Sequence, residues 1–156
     1  MDDNFEDLNY KLRLMSEGEE NLKIDAEIKD KSKKSIIDIR HWWGFEFAGY
    51  GGSFINEKKE LYSYTYYFRH PQTSKNPNYI EFVKVLSDDE YNQVIEFIKK
   101  VINKEYGYNM MKDAGYEIKI NYNGVHKEII NHMEVYNIID TIIKGIKNTN
   151  NEQNPE

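Results

Sequence analysis

YEIKINYNGVHKEII, residues 116–130, holds two strands and the tight turn that joins them, and this stretch decides the fold. Its first half alternates apolar and polar residues, which is the two-residue period of a strand with one buried face. Asn123-Gly124 is the strongest short hairpin signal because both residues adopt positive φ readily. A two-residue loop there places Lys119 opposite Glu128 on the solvent side. The stretch therefore predicts an antiparallel sheet.

Helices are predicted on both sides of this hairpin along the chain. Ser87–Glu90 has the S-x-x-E spacing of a capping box, in which the serine and the glutamate satisfy free amides of the first helical turn. Asn131 can cap a second helix in the same way, with Glu134 three residues further on. Apolar residues recur at three- and four-residue intervals after each cap, so we expect helices over about 87–105 and 132–147.

The first half of the chain is interpreted mainly as strands. Leu8–Leu14 is apolar at every second position, which favours a strand, although the spacing of Phe5, Leu8, Leu12 and Met15 fits a helix nearly as well. Leu22–Ile28 alternates in the same way and predicts a hairpin with residues 36–43. Residues 61–68 and 79–86 form two further predicted strands around a loop that contains two prolines. The side of the first of these strands that we expect to be buried carries Tyr62, Tyr64, Tyr66 and Phe68.

These elements predict an α+β fold: a mainly antiparallel β-sheet of about six to seven strands with two helices packed on one face. A parallel sheet would need crossover helices between the early strands, and the sequence shows none there. Residues 1–147 are expected to form a single domain, and residues 148–156 a flexible polar tail.

Composition excludes several classes of function. The chain has no cysteine, which removes disulfides, thiolate nucleophiles and cysteine-ligated zinc. Its net charge is -6, and the acidic excess of the first thirty residues repels a phosphate backbone, so nucleic acid is not expected as the main partner. No apolar run is long enough to cross a membrane, and the acidic amino terminus does not resemble a secretory signal. We therefore expect a cytoplasmic protein without a membrane partner.

No metal, cofactor or catalytic residue is assigned from the sequence. The four histidines do not have the three- or four-residue spacing of helical metal ligands: His41, His70, His126 and His132. The glycines of HWWGFEFAGYGGSF, residues 41–54, match neither the phosphate loop nor the dinucleotide fingerprint. Glycine in a strand pattern marks a bulge, a bend or the close approach of another backbone, so Gly49–Gly52 is predicted to bend the sheet or to form a loop between strands.

The same stretch contains two adjacent tryptophans. Neighbouring residues of a strand face opposite sides, so Trp42 and Trp43 cannot both enter a one-sided core. An exposed tryptophan is a strong candidate for a binding hot spot, and the predicted protein-binding residues are Trp42, Trp43, Phe45 and Tyr50. The competing interpretation is that the first strand or the Leu22 hairpin covers the second ring.

Two functions are weighed from these features. The first is a non-catalytic protein-binding domain, an immunity-type or inhibitor protein that masks a bacterial toxin, nuclease or defence effector with a basic surface. The alternative is a small enzyme or small-ligand-binding protein with a tyrosine-rich pocket near the glycines. The residues of that alternative site are Arg40, His41, Tyr64, Tyr66, Arg69 and His70. A third reading is an anion or nucleotide sensor that uses Arg40, Arg69 and glycine amides.

Overall fold

A computed structural model describes residues 2–44, 48–68, 77–107 and 114–149, with backbone alone for residues 2–6 and 16. These residues form four helices and six strands, in the α+β class that was predicted. In chain order the elements are α1 (Asp2–Glu17), α2 (Glu19–Ser32), β1 (Ser35–Trp43), β2 (Gly49–Asn56), β3 (Glu60–Tyr67), β4 (Tyr79–Val85), α3 (Asp88–Val101), β5 (Gly115–Tyr122), β6 (Val125–Ile130) and α4 (Met133–Asn148).

The six strands form one antiparallel sheet in the order β4-β3-β2-β1-β5-β6. The predicted register of the β5-β6 hairpin is confirmed, because Lys119 pairs with Glu128. Asn123 and Gly124 both have positive φ in the turn. β1 lies inside the sheet, where it pairs with β2 on one side and with the distant β5 on the other. Because both edges of β1 are paired, its side chains point to the two faces of the sheet, and each face carries its own core.

The helix caps follow the sequence at α3 and depart from it at α4. Ser87 Oγ accepts from the Glu90 amide at 3.1 Å, and Glu90 Oε1 accepts from the Ser87 amide at 2.9 Å, so the predicted capping box is confirmed. Asn131 does not cap α4, whose N-cap residue is His132. The Asn131 side chain instead accepts a hydrogen bond from the Tyr116 amide at 2.8 Å. This bond holds the start of β5.

Residues 2–17 and 19–32 form helices, so the predicted strand over 8–14 and the predicted hairpin strand over 22–28 are wrong. Acidic residues and lysine are frequent in both helices, and these side chains are depleted in strands. In α2 the buried residues are Leu22, Asp25 and Ile28, which recur at a helical spacing of three. None of the described helices has the length and apolar character needed to cross a membrane.

Helices lie on both faces of the sheet, which corrects the predicted single face with two helices. On one face Ile37 and Ile39 of β1 pack in a core with residues of α3 and α4. On the other face Phe54 of β2, with tyrosines of β2 and β3, packs with Ile28 of α2. The side of β3 that was expected to be buried lies in this second core, and Leu61 on its opposite side is buried as well. Nearly every position of the central strand is therefore shielded from solvent.

The glycines at 49–52 form regular strand in β2, so the predicted bend or loop is wrong. The requirement for glycine at positions 49 and 52 comes from the close approach of neighbouring strands. A Cβ on Gly52 would collide with the carbonyl oxygen of Ile39 and lie 2.9 Å from Arg40 Cα. A Cβ on Gly49 would collide with the carbonyl oxygen of Tyr66 in the same way.

Gly145 is a glycine with no such requirement. It lies on the exposed side of α4, where an added Cβ would meet nothing within 4 Å. Alanine lowers the conformational entropy lost on forming a helix, so Gly145→Ala should raise the free energy of unfolding by about 1 kcal/mol. Urea denaturation of the two proteins measures the change. An unchanged or lower stability would show that this glycine is needed for a contact of its own.

Candidate functional site

The two tryptophans lie on opposite faces of the sheet, as their adjacency in a strand predicts. The Trp42 ring lies on the α2 face, 5.1 Å from the ring of Tyr50, and its Nε1 donates to Glu117 at 3.3 Å. The Trp43 ring lies on the opposite face over Gly51 and 5.1 Å from the ring of Tyr67. Both side chains are half-buried. α2, in place of the predicted hairpin, packs on the same cluster as Trp42.

The described residues of the alternative ligand site lie on two faces of the sheet, with Arg40, Tyr64 and Tyr66 on the α2 face and His41 on the other. Tyr64 and Tyr66 are buried under α2. His41 projects from the opposite face, toward α4. Phe45, Arg69 and His70 lie outside the described residues. Tyr50, at 1% exposure, offers no surface to a partner protein.

Arg40 is committed to a buried cluster with Asp38 and Tyr64. Its Nε donates to the Tyr64 hydroxyl at 2.9 Å, and its guanidinium donates to Asp38 at 3.3 Å. The Tyr64 hydroxyl donates in turn to the other oxygen of Asp38. Burial raises the pKa of Asp38, and the charge of Arg40 opposes that shift. These three side chains, the Arg40 cluster, satisfy one another inside the protein and leave no charge free for a ligand.

A second polar cluster fastens the amino-terminal helices to the sheet. Asp25 of α2 accepts from the Tyr50 hydroxyl and from Arg13 of α1 at 3.1 Å. Glu17 accepts from the Tyr66 hydroxyl and from Arg13. Burial favours a higher pKa for Asp25, but the bond from Tyr50 and the charges of its basic neighbours outweigh it, so the pKa is lowered. The hydroxyls of Tyr50 and Tyr66 are therefore occupied by contacts within the chain.

The groove beside α4, hereafter the α4 groove, is the cavity with the most varied chemistry. It has a volume of ≈ 520 Å³ and lies between α4 and the strands β1, β2 and β3. Its polar lining residues include His41, Ser53, Ser63, Thr65, Tyr79, Tyr116, Tyr136, Asn137, Asp140, Lys144 and Lys147. Of the lining residues, His41 and Tyr64 belong to the ligand site predicted from the sequence. The sequence signal that was missed is a serine in each of β2 and β3, on the same face as the buried residues Ile55 and Leu61.

Lys147 is the central charge of the α4 groove. Its Nζ donates to Ser53 Oγ at 2.7 Å and to Ser63 Oγ at 3.1 Å, and these serines pair directly across β2 and β3. Burial lowers the pKa of Lys147. Lys144, one turn earlier, forms an exposed ion pair with Asp140 at 2.9 Å. The groove therefore combines a partly buried ammonium with several hydroxyl groups.

His41 stands at the rim of the same groove. Its ring centroid lies 4.9 Å from that of Trp43 on the same face of the sheet. Partial burial of the ring lowers the pKa of His41. No group of three His, Asp or Glu side chains within the described ranges could hold a metal ion.

Another groove, of ≈ 490 Å³, lies at the carboxyl end of α2 and is lined by Lys31, Lys33, Lys34 and Lys58. Lysines in this position offset the negative end of the helix dipole. Lys31 is also paired with Glu27 at 2.9 Å and lies over the ring of Tyr62. Their position is thus explained by the stability of α2.

Comparison with protein-family models, with curated proteins and with solved structures finds no match to this chain.

Proposed function

We propose that this chain is a non-catalytic protein-binding domain that inserts the apolar side of α1 into a groove of a partner with a basic rim. One observation carries the proposal: α1 has an apolar stripe exposed to solvent. Leu8 and Leu12 are each 55% exposed and Met15 is 81% exposed. Spacings of four and three residues place these side chains on one face of the helix. They are named here the α1 stripe.

The α1 stripe is not the side by which α1 is attached. Arg13 and Glu17 bind Asp25 and Tyr66, so they hold the last turns of α1 against α2 and the sheet. Within the part of the chain that the structure describes, the stripe stays exposed, and three large apolar side chains on one helix face are costly to leave in water. Amphipathic helices that bind in a groove use anchors at this spacing.

Charge indicates the kind of groove that would accept α1. The chain carries 27 acidic and 21 basic side chains, and the acidic excess is concentrated in its first thirty residues. Lysine and arginine around an apolar groove would complement that charge and speed association. The narrower role that fits is an immunity-type or inhibitor protein, which masks a toxin, nuclease or defence effector whose active site is basic.

The end of β1 is a second candidate contact region. Trp42 and Trp43 are half-buried, so each ring has area left to offer a partner, and tryptophan is enriched at binding hot spots. Both remain predicted contact residues. The α1 stripe is the better supported surface because its side chains are exposed and unpartnered.

Substitution of the α1 stripe tests the proposal. We expect Leu12→Glu with Met15→Glu to weaken binding to the captured partner by about thirtyfold or more, which corresponds to the ~2 kcal/mol of a hot spot. The partner is first captured with the wild-type chain, identified and purified. Its binding to each variant is then measured by titration calorimetry. Ile138→Glu is the matched control, since Ile138 is 56% exposed on α4 and lies outside the stripe.

The proposal also predicts that binding weakens as the salt concentration rises from about 0.05 to about 0.5 M, because salt screens surface charges and shortens the reach of their attraction.

Sedimentation of the free chain tests whether the α1 stripe binds a second copy of the chain in place of a partner protein. A wild-type dimer that the double variant converts to a monomer would assign the stripe to a second copy of the chain. Full binding by the double variant, with loss in Trp42→Ala or Trp43→Ala, would move the interface to the end of β1. Either result overturns the proposal that α1 docks into a groove of another protein.

A further inference from the structure

The α4 groove contains an ammonium group that pairs directly with none of the described carboxylates. Lys147 Nζ is held by two serine hydroxyls, and no carboxylate of the described residues forms an ion pair with it. Asp140, the acidic residue on the same helix face, is paired with Lys144. The charges of Asp140 and of Glu81 on β4 still act on Lys147, but only over a longer distance than an ion pair. A partly buried cation without a paired carboxylate loses part of its hydration, and a bound anion would compensate that loss.

The two serine hydroxyls turn this site into a set of converging donors. Each Oγ already accepts a bond from Lys147, so its own O–H remains available to donate. Neither hydroxyl donates to an acceptor within the described part of the chain. The ammonium, with three N–H donors, also has one left after its two serine bonds. Two O–H groups and one N–H group are therefore available around Lys147 Nζ, and an oxyanion can accept from all three.

The rest of the α4 groove has a size and an aromatic lining that suit the apolar part of a small organic ligand. Its volume of ≈ 520 Å³ is in the range of small-molecule sites. Tyr79, Tyr116 and Tyr136 supply aromatic surface, and Gly52 contributes no side chain to the lining. The rings of Tyr116 and Tyr136 pack together at 4.6 Å between centroids, which gives the groove a fixed wall.

We propose that the α4 groove binds a small organic anion, with its carboxylate or phosphate on Lys147, Ser53 and Ser63 and its apolar body against Tyr116 and Tyr136. This site is independent of the α1 stripe. A purely structural role for Lys147, pinning α4 to β2 and β3, predicts the same contacts in the free protein but no ligand. The two roles are therefore separated by binding and not by stability.

Backbone amide shifts in NMR titrations of the full chain test the proposal. The probes are benzoate and phenyl phosphate, with benzyl alcohol as the neutral analogue. We expect both anions, and not the alcohol, to shift the amides of Ser53 and Ser63 in a saturable way at millimolar concentration. If neither anion does so, the site is wrong. Acetate and inorganic phosphate form a further arm: affinities equal to those of the aromatic anions would overturn the role of Tyr116 and Tyr136.

Variants separate the proposed charge from general effects. Lys147→Met keeps the length of the side chain and removes its charge, and it should weaken binding of phenyl phosphate at least tenfold. Lys147→Arg keeps the charge and should bind within a few-fold of wild type, which guards against a folding defect in the methionine variant. Lys99→Met is the matched control, since Lys99 is an exposed lysine on α3 far from the groove lining. Equal affinity of Lys147→Met and wild type would overturn the proposal.

Discussion

Gly52→Ala should unfold the protein or lower its free energy of unfolding by about 4 kcal/mol or more. The added Cβ would collide with the carbonyl oxygen of Ile39 and come within 2.9 Å of Arg40 Cα. Both atoms belong to the backbone of β1, which cannot withdraw without losing its pairing with β2. A domain has about 5–15 kcal/mol of stability in total, so this single methyl group is a large fraction of it. Circular dichroism and urea denaturation measure the effect.

Two other glycines are controls for that experiment. Gly107→Ala should be nearly neutral, because a Cβ there meets nothing within 4 Å. Gly51→Ala should be milder than Gly52→Ala, because its nearest neighbours are side-chain atoms of Thr65 and Trp43 at 3.3 Å, and these can shift. A Gly52→Ala protein within about 1 kcal/mol of wild type would contradict the tight approach of the two strands.

Arg40→Met should lower the free energy of unfolding by about 3–5 kcal/mol, because it leaves the carboxylate of Asp38 buried without its cation. Arg40 is 8% exposed and Asp38 is 4% exposed, so water cannot replace the lost partner. The pKa of Asp38 is already raised by burial and should rise further in the variant. A raised pKa in the folded state means that the penalty is present above that pKa and is relieved as the pH falls through it. The loss measured by urea denaturation should therefore be larger at pH 7 than at pH 5.

Replacing all three residues of the Arg40 cluster also tests whether the loss of stability in Arg40→Met comes from an uncompensated buried carboxylate. In Asp38→Leu with Arg40→Met and Tyr64→Phe, no buried charge or hydroxyl is left unsatisfied. We expect this triple variant to be more stable than Arg40→Met alone, since apolar groups of similar size often replace a buried ion pair without loss. A triple variant less stable than Arg40→Met would show that the cluster has a stabilising role beyond mutual compensation.

The sequence predicted those parts of the fold that are determined by short-range chemistry. Asn123-Gly124 specifies its own turn, and that turn fixes the pairing of the neighbouring strands. Ser87 and Glu90 satisfy amides within one helical turn. β4 and the helical stripes of α3 and α4 were likewise predicted from residues a few positions apart.

The helices α1 and α2 were missed because two periods fit the same apolar residues. Leu8 and Leu12 belong both to an alternating series and to a helical stripe, and the alternating series was preferred. The composition contained the better signal, since lysine and glutamate form helices readily and few β-branched residues are present there. Once α2 covers the second face of the sheet, Asp38 and Arg40 become buried, although their alternation with isoleucines indicates a solvent-facing side.

The α4 groove could not be predicted because its residues come from distant elements. Ser53 and Ser63 meet only through the register of β2 and β3, and Lys147 reaches them from the last helix. None of the three has a spacing that marks a site in the sequence. The two tryptophans were correctly predicted to lie on opposite faces of the sheet. Which ring lies on which face follows only from the pairing of the strands.

The central place of β1 affects how this chain folds as it is synthesised. β1 ends at Trp43, whereas β5, its second neighbour, begins at Gly115. At about 5–20 residues per second, a ribosome needs ~4–15 s to make the intervening segment. Throughout that interval the unpaired edge of β1 is open to strands of other nascent chains. The speed of translation between these two strands therefore sets how long the growing protein is exposed to aggregation.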